Sequence, residues 1–329
     1  MLQFDPIFTD HAILQAGKPV RIYGKGEGEV SVKLADLSQT VLAKDGRWCA
    51  EFPAKDYGAI CNLSATCCDK TLTICDITFG DVYLIAGQSN MQFKLWEAVP
   101  DGDVYECNDI RLFSTDRLED NEHFHACDGW VKCNNDNAPN FSAIGYFLAR
   151  DLHKRDNRPI GLVSLYQGAS VIQSWLSETA LAQLAIDMPS GELHWDHHNP
   201  DYSKWNGNAV LYSFAFSQAK NFAYKAVIWY QGESNSSENE SKFYDKMLSK
   251  MIELWRRDLN DLTLPFVIIQ IADYDSRNDD AWRRIQTAQE AVAQNTQNCY
   301  LVKCADICET NNIHPPTKHT LAKRIADIM

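Results

Sequence analysis

The sequence lacks the features that mark membrane-spanning, zinc-binding or nucleic-acid-binding proteins. No run of apolar residues approaches the roughly 18 that a transmembrane helix needs. The 11 cysteines include no Cys-x-x-Cys pair and no zinc-type spacing. Basic residues are in deficit, with 31 Lys and Arg against 44 Asp and Glu. The formal net charge of −13 argues against binding nucleic acid or an anionic membrane through a broad basic surface.

The cysteines and the first residues of the chain predict a cytoplasmic protein. An odd number of cysteines scattered through 329 residues is typical of reduced, mostly buried thiols rather than of a disulfide framework. The first residues, MLQFDP, carry neither the basic region nor the apolar stretch of a secretory signal. Secretion behind a signal that has been removed is the alternative.

Residues 1–77 predict a small antiparallel β-sandwich domain. They form short runs of alternating apolar residues without the period of a helix. Asp45-Gly46, between two of these runs, signals a two-residue hairpin turn, because both residues tolerate a positive φ. The predicted strands lie at 20–23, 30–34, 40–43, 47–52, 62–66 and 71–74.

Residues 78–329 predict an α/β domain. Apolar strand candidates alternate with amphipathic helix candidates, which is typical of a parallel sheet covered by helices on both faces. The segment 187–208 predicts a long polar loop over the edge or mouth of the sheet. The predicted strands are 82–86, 160–166, 226–230, 264–271 and 299–304, and the predicted helices are 143–154, 241–259, 279–295 and 321–328.

Polar residues follow three of these strands and predict a common site. Ser89 comes directly after the first strand, in a tight turn that can present its hydroxyl to an open crevice. Gln231 and His314 follow two other strands. Because parallel strands share one C-terminal edge, we expect these three side chains to converge.

A serine, a histidine and an amide are the parts that acyl transfer requires. A hydroxyl becomes a competent nucleophile when a base takes its proton, and imidazole suits that task near neutral pH. The oxyanion of the tetrahedral intermediate needs fixed donors. The candidate donors are the backbone N–H groups of Ser89 and Gly168, which follows another predicted strand, and the side-chain amide of Gln231.

Three segments, in this order, carry these residues: Gly87-Gln88-Ser89-Asn90-Met91, Trp229-Tyr230-Gln231-Gly232-Glu233-Ser234-Asn235 and Ile313-His314-Pro315. Together they resemble the signature motifs of the sialate O-acetylesterase-like carbohydrate esterases, which belong to the SGNH hydrolase superfamily. The resemblance covers nearly all of residues 78–329. It implies a flavodoxin-like three-layer α/β/α hydrolase domain behind a small N-terminal β-domain. It also implies a serine esterase, without metal or cofactor, that acts on a small-molecule or oligosaccharide acetyl ester such as O-acetylated sialic acid or acetylated hemicellulose.

The resemblance assigns roles to individual residues. Ser89 matches the nucleophile and His314 the general base. Gly168 and Gln231 match oxyanion-hole positions, and Asn235 is a further candidate there.

Three more residues near the motifs are candidates for contact with substrate: Gln88, Trp175 and Glu233. Trp175 would stack on a sugar face or else pack against the sheet. Glu233 would polarise the site or else brace its turn through hydrogen bonds. The three histidines of residues 194–198 predict a substrate-facing or solvated loop rather than a metal site, because no Cys or carboxylate spacing joins them.

The chain departs from the family pattern just before the histidine. Relatives often carry an Asp two or three residues earlier, where this chain has Asn312 and Asn311. Replacing the triad Asp by Asn in a known protease lowers turnover by about 10⁴-fold. Three outcomes are open: Asp306 or Glu309 supplies the carboxylate, a backbone carbonyl holds the ring in a Ser–His dyad, or the chain is a weak or inactive relative.

Two other functions stay open at this point. An esterase for lipid or aryl esters would need apolar stretches around the mouth of the site, which the polar segment 187–208 does not provide. A carbohydrate-binding protein with a decayed site would account for the two asparagines before the histidine.

Overall fold

The computed structural model describes residues 1–118, 129–186, 202–277 and 279–329, which form a mixed α/β fold around a large central sheet. The strands are β1 (Gln3–Phe4), β2 (Ile13–Gln15), β3 (Val20–Lys25), β4 (Glu29–Leu34), β5 (Leu37–Leu42), β6 (Arg47–Phe52), β7 (Cys61–Cys67), β8 (Lys70–Gly87), β9 (Cys107–Ser114), β10 (Val131–Cys133), β11 (Ile160–Tyr166), β12 (Ala226–Tyr230), β13 (Phe266–Ile269) and β14 (Cys299–Val302). The α-helices are α1 (Ser89–Gln92), α2 (Ala143–Asp156), α3 (Glu178–Ile186), α4 (Ser217–Ala219), α5 (Tyr244–Asp258), α6 (Asp280–Asn295) and α7 (His319–Ile328). Within the described ranges, no helix has the length and apolar character to cross a membrane.

The N-terminal residues fold into antiparallel strands, as their alternating pattern predicts. β3 pairs with β1 and β6, and β4 pairs with β5 and β7. The side chains of β4 and β6 alternate strictly between exposed and buried, so one face of each strand packs into the core. Asp45 and Gly46 have φ values of 51° and 74°, which are the two positive values that the hairpin turn between β5 and β6 requires.

The strands that follow form a parallel sheet with a recognisable order. In the described part of the chain, β9-β11-β8-β12-β13-β14 run parallel, and β10 adds an antiparallel edge beside β9. The set β11-β8-β12-β13-β14 has the strand order 2-1-3-4-5 of flavodoxin-like sheets. The chain changes direction between β8 and β12, and open α/β sheets bind their ligands at such a switch point.

β8 is long and joins the N-terminal strands to the parallel sheet. Its 18 residues first pair with β7 in antiparallel fashion and then lie between β11 and β12 in parallel fashion. β2 pairs with β8 at residues 78–80, where the two parts meet. The domain boundary that the sequence predicts at residues 77/78 therefore falls inside one continuous strand.

The amphipathic helices lie where the apolar periodicity predicts them. α2 begins after Ser142, whose hydroxyl accepts a hydrogen bond from the Gly145 N–H, and it ends at the left-handed residue Asn157. α2 packs on α7, and α5 packs on α6. Most of the predicted loop 187–208, including its three histidines, lies outside the described residues.

Candidate active site

Ser89 lies at the C-terminal end of β8, beside the switch point. The chain turns sharply at Gly87, where φ is 138° and a Cβ atom would lie 2.0 Å from the Tyr230 carbonyl oxygen. Only glycine tolerates this conformation so close to the neighbouring strand. The turn places Ser89 at the first position of the short helix α1, where its side chain is half-buried.

His314 reaches Ser89 from a loop that is 225 positions further along the chain. The His314 Nε2 atom lies 2.8 Å from Ser89 Oγ, and the hydroxyl donates this hydrogen bond when Nε2 carries no proton. The backbone N–H of His314 donates to Asn312 Oδ1 at 2.9 Å, so this asparagine shapes the turn before the histidine. A serine and an imidazole in this arrangement can act as nucleophile and base.

The surroundings of His314 favour the neutral imidazole. Burial lowers the pKa of His314, and the positive charge of Lys318 lowers it further, while the Glu97 carboxylate acts in the opposite direction. A neutral imidazole can accept a proton. His314 is therefore in the form that a general base needs at neutral pH.

A cavity of about 250 Å³ lies in front of the Ser89–His314 pair. Trp96 belongs to the 3₁₀ turn Leu95–Glu97 at this cavity, and it is 63 % exposed. The residues that line the cavity are Ser89, Gln92, Phe93, Lys94, Trp96, Glu97, Gly168 and His314. The cavity is small, so it suits a short acyl group better than a long alkyl chain.

Two backbone N–H groups lie close to the Ser89 hydroxyl. The Ser89 N–H is at the start of α1, where helical N–H groups have no acceptor within the helix. The Gly168 N–H donates to Gln92 Oε1 at 2.8 Å. A Cβ atom on Gly168 would lie 3.9 Å from Ser89 Cβ, so the two residues are neighbours. The structure thus places Gly168 next to Ser89, with a side-chain oxygen as the present acceptor of its N–H.

Gln231 and Asn235, which the sequence predicts as oxyanion donors, face into the protein instead. Gln231 is fully buried, and its Nε2 donates to the Ser170 carbonyl at 3.0 Å and to Asn235 Oδ1 at 2.7 Å. Asn235 is equally buried, and its Nδ2 donates to Gln173 Oε1 at 2.7 Å. Their amide hydrogens are used in a buried network that holds the 168–173 segment beside Ser89.

The three predicted substrate contacts do not reach the cavity. Gln88 is buried, and its Oε1 accepts hydrogen bonds from two backbone N–H groups of the turn after β12. Trp175 is fully buried, with its indole packed edge-on against two other tryptophans of the core. Glu233 is 7 % exposed and accepts a hydrogen bond from Asn90 Nδ2 at 2.7 Å. Each of the three therefore braces the fold, which corrects the prediction of direct substrate contact.

Neither carboxylate that the sequence offers as a third triad member contacts His314. Both oxygens of Asp306 accept hydrogen bonds from Arg324, at 2.7 and 2.6 Å, and this guanidinium lowers the pKa of Asp306 to about 2. Glu309 accepts a hydrogen bond of 2.5 Å from the Thr317 hydroxyl. Among the described residues, His314 Nδ1 has no hydrogen-bond partner, neither a carboxylate nor a backbone carbonyl.

The sequence analysis missed Gln92, Trp96 and Lys318. Gln92 and Trp96 line the cavity, and Lys318 has no exposed surface. The position of the first two could have been inferred, because the segment directly after a strand-end turn must lie at the same edge of the sheet. Lys318 gives a weaker signal, since a lysine just before a helix is usually solvated.

The arrangement is suited to attack on a carbonyl carbon. It combines a serine hydroxyl hydrogen-bonded to an imidazole with backbone N–H groups at the rim of a small open cavity. In the part of the chain that the structure describes, no group of three or more His, Cys, Asp or Glu side chains could hold a metal ion.

Known proteins are similar to this chain in sequence and in fold. Residues 79–329 match the family model described as "Carbohydrate esterase, sialic acid-specific acetylesterase". The sialate O-acetylesterases of Mus musculus and Homo sapiens are 24 % and 25 % identical to it over 98 % of this chain and 72 % and 69 % of their own lengths. The crystal structure of a carbohydrate acetylesterase from Xanthomonas citri aligns with a TM-score of 0.83 at 25 % identity, over 98 % of this chain and 73 % of that one.

Proposed function

Because the chain belongs to the sialic acid-specific acetylesterase family of carbohydrate esterases, it is a carboxylic ester hydrolase, and we propose that it removes O-acetyl groups from carbohydrates through a serine acyl-enzyme. The family assignment confirms the resemblance that the three sequence motifs indicate. The observation that carries the proposed mechanism is the 2.8 Å contact between Ser89 Oγ and His314 Nε2.

In the proposed acylation, Ser89 Oγ attacks the acetyl carbonyl carbon while His314 Nε2 takes the hydroxyl proton. The carbonyl electron pair moves onto oxygen, and the N–H groups of Ser89 and Gly168 stabilise the resulting oxyanion. In this step the oxyanion replaces Gln92 Oε1 as the acceptor for the Gly168 N–H. When the intermediate collapses, the sugar oxygen leaves with the proton from His314, and the acetyl group stays on Ser89.

Deacylation repeats these steps with water as the nucleophile. His314 Nε2 takes a proton from the water, and the hydroxide oxygen attacks the acetyl-serine carbonyl carbon. The second tetrahedral intermediate releases acetate. The Ser89 oxygen leaves with the proton from His314, so that the resting pair is restored.

We infer that Ser89 and His314 work as a dyad. In a triad, a carboxylate on Nδ1 fixes the tautomer and the orientation of the ring. Here the hydrogen bond from the His314 N–H to Asn312 shapes the loop, and burial keeps the imidazole neutral. The protein therefore replaces the missing carboxylate by constraints on the backbone.

The cavity favours an acetyl group on a sugar. About 250 Å³ holds an acetyl group and part of a sugar ring, and Trp96 offers a flat apolar surface at the rim for the face of that ring. Since relatives named sialate O-acetylesterase span nearly the whole chain, O-acetylated sialic acid is our first candidate substrate. Acetylated hemicellulose oligosaccharides are the second.

We also infer the three-layer SGNH arrangement behind a small N-terminal β-sandwich. The 2-1-3-4-5 order of five of the six parallel strands, β9 left out, and the antiparallel pairing of β3 with β6 and of β4 with β7 support this architecture.

Release of acetate from O-acetylated sialic acid and from acetylated xylo-oligosaccharides tests the proposal. Ser89→Ala removes the nucleophile and should lower kcat/KM by about 10³-fold or more. Ser38→Ala, on the exposed face of β5, is the matched control and should keep the wild-type rate. An undiminished rate in Ser89→Ala refutes the acyl-enzyme mechanism.

A further inference from the structure

Lys318 is a charged side chain without exposed surface close to the Ser89–His314 pair. Its Nζ donates a hydrogen bond of 2.7 Å to Asn90 Oδ1. The ammonium lies 4.9 Å from the ring centre of Phe93 and 5.6 Å from that of Tyr230. These cation–π contacts replace part of the lost hydration. A lysine is nevertheless almost never buried so completely without a charged partner.

Asn90 connects this ammonium to Glu233 and to the backbone next to His314. Its Nδ2 donates to Glu233 Oε1 at 2.7 Å and to the Ile313 carbonyl at 2.9 Å. One amide thus uses its oxygen and both of its hydrogens. Asn90 directly follows Ser89 in the chain, and Ile313 directly precedes His314. The hydrogen bond from Asn90 Nδ2 to the Ile313 carbonyl therefore joins the two backbone segments that carry Ser89 and His314.

Glu233 supplies the opposite charge. It lies in the turn after β12 and is 7 % exposed, and its Oε2 has no hydrogen-bond partner among the described residues. Burial raises the pKa of Glu233, while the hydrogen bond from Asn90 and the charge of Lys318 act to lower it. The Asn90 amide therefore lies between the two groups, accepting from the Lys318 ammonium and donating to the Glu233 carboxylate.

We propose that Lys318, Asn90 and Glu233 form a buried bracket that holds His314 in contact with Ser89, and that Lys318 is a positioning residue of this bracket. The inference rests on the proposed function, which makes Ser89 and His314 the reacting pair. The bracket touches no reacting atom. It fixes the backbone next to both partners, whereas a triad carboxylate acts on the imidazole ring itself.

The charge of Lys318 also acts on His314. It lowers the pKa of the imidazole, whereas Glu97, which lines the cavity, raises it. Burial lowers the pKa of Lys318 to about 8, so the ammonium keeps its charge over the range in which His314 titrates. Glu233 and three further groups, Cys308, Cys304 and Glu309, oppose that decrease in the pKa of Lys318.

The sign of the expected pH effect follows from these charges. A protonated imidazole cannot act as a base, so kcat/KM falls as the pH falls through the pKa of His314. In the wild-type protein the midpoint of this decrease in kcat/KM should lie below pH 6.5, since the ordinary pKa of imidazole is about 6.5. Removing the positive charge of Lys318 makes protonation of His314 easier, so the midpoint of the decrease in kcat/KM should move to higher pH.

Lys318→Met tests the inference, because methionine keeps an unbranched side chain and removes the charge. The matched control is Lys323→Met, at an exposed position of α7. An NMR titration of the His314 ring gives its pKa, and steady-state kinetics on an O-acetylated sugar give kcat and KM. We expect the pKa of His314 to rise and kcat to fall about 10²-fold with little change in KM, since positioning is lost. Lys323→Met should match the wild type in all three.

An unchanged His314 pKa in folded Lys318→Met, or a kcat within about twofold of wild type, overturns the inference. Asn90→Leu is the second variant, for the case that Lys318→Met does not fold. It breaks the bracket and keeps the lysine, so kcat should again fall while KM stays, and full activity contradicts the proposal. A wild-type His314 pKa at or above about 6.5 contradicts it as well. The titration needs no turnover, so it stays informative even if Ser89→Ala shows that the proposed function is wrong.

Discussion

At the scale of single residues, Trp96 is the side chain that we expect to set substrate preference. Its ring is exposed at the cavity, and a sugar face can stack on it, which contributes about 0.5–1.5 kcal/mol. We predict that Trp96→Ala raises KM for an O-acetylated sugar about 2- to 10-fold and leaves kcat nearly unchanged. The measurement is steady-state kinetics on the sugar ester and on a simple alkyl acetate, which has no ring to stack.

The control for this prediction is Tyr300→Ala, which removes another exposed aromatic ring, on β14 and outside the cavity lining. Its KM should equal that of the wild type. If Trp96→Ala changes KM for the alkyl acetate as much as for the sugar ester, the ring does not recognise the sugar.

The sequence could predict which residues gather at the site but not which way each one points. Ser89 and His314 were found because motifs and strand ends place them at one edge of the sheet. Gln231 and Trp175 lie in equally suggestive positions, yet both are fully buried. A residue just after a strand faces either the crevice or the interior, and packing with distant segments decides which. Trp96 has no motif around it; its place after the strand-end turn indicates the edge of the sheet, and the fold shows that it lines the cavity.

At the scale of elements, the turn from β8 into α1 depends on Gly87. A Cβ atom there would lie 2.0 Å from the Tyr230 carbonyl oxygen of β12, so the two strands would have to separate. We predict that Gly87→Ala lowers the free energy of unfolding by about 4 kcal/mol or more, which urea titration measures. The control, Gly28→Ala, adds a Cβ at a φ of 72° with no atom within 4 Å, and it should lose only about 1–2 kcal/mol. Equal losses in the two variants would show that the clash at Gly87 has no effect.

Strand boundaries were predictable where an apolar run stands alone between turn residues. β11 and β12 have the predicted bounds of 160–166 and 226–230, because both strands are buried along their whole length. β9 was missed, since its first residues are polar and largely exposed and only its second half is buried. The sequence pattern also divided β8 in two, because its alternating first half and its apolar second half look like different strands.

At the scale of the whole molecule, hydrogen bonds and ion pairs join the N-terminal strands to the parallel sheet, in addition to the covalent chain. The Trp130 indole N–H donates to the Ile7 carbonyl at 2.8 Å, and Lys18 Nζ contacts Asp261 at 2.6 Å. Together with the continuous strand β8, these contacts indicate that the two parts unfold together.

Ile22→Ala tests this cooperativity. Ile22 is fully buried on β3, remote from the cavity, and its truncation should lower the free energy of unfolding by about 2–5 kcal/mol. We predict that the urea midpoints seen by tryptophan fluorescence and by loss of esterase activity fall together. Leu42→Ala, at an exposed position of β5, should change neither midpoint. An activity midpoint that stays in place while the fluorescence midpoint falls would mean that the parallel sheet unfolds independently.

The passage of β8 through both parts also limits how this protein can be recombined. A chimera joined at residue 77 would cut this strand in its middle, between the residues that pair with β7 and the residues that pair with β2, β11 and β12. Residues 1–77 therefore cannot be replaced as a separate unit without interrupting β8. Any chimera that keeps the turn at Gly87 intact has to include the whole of β8.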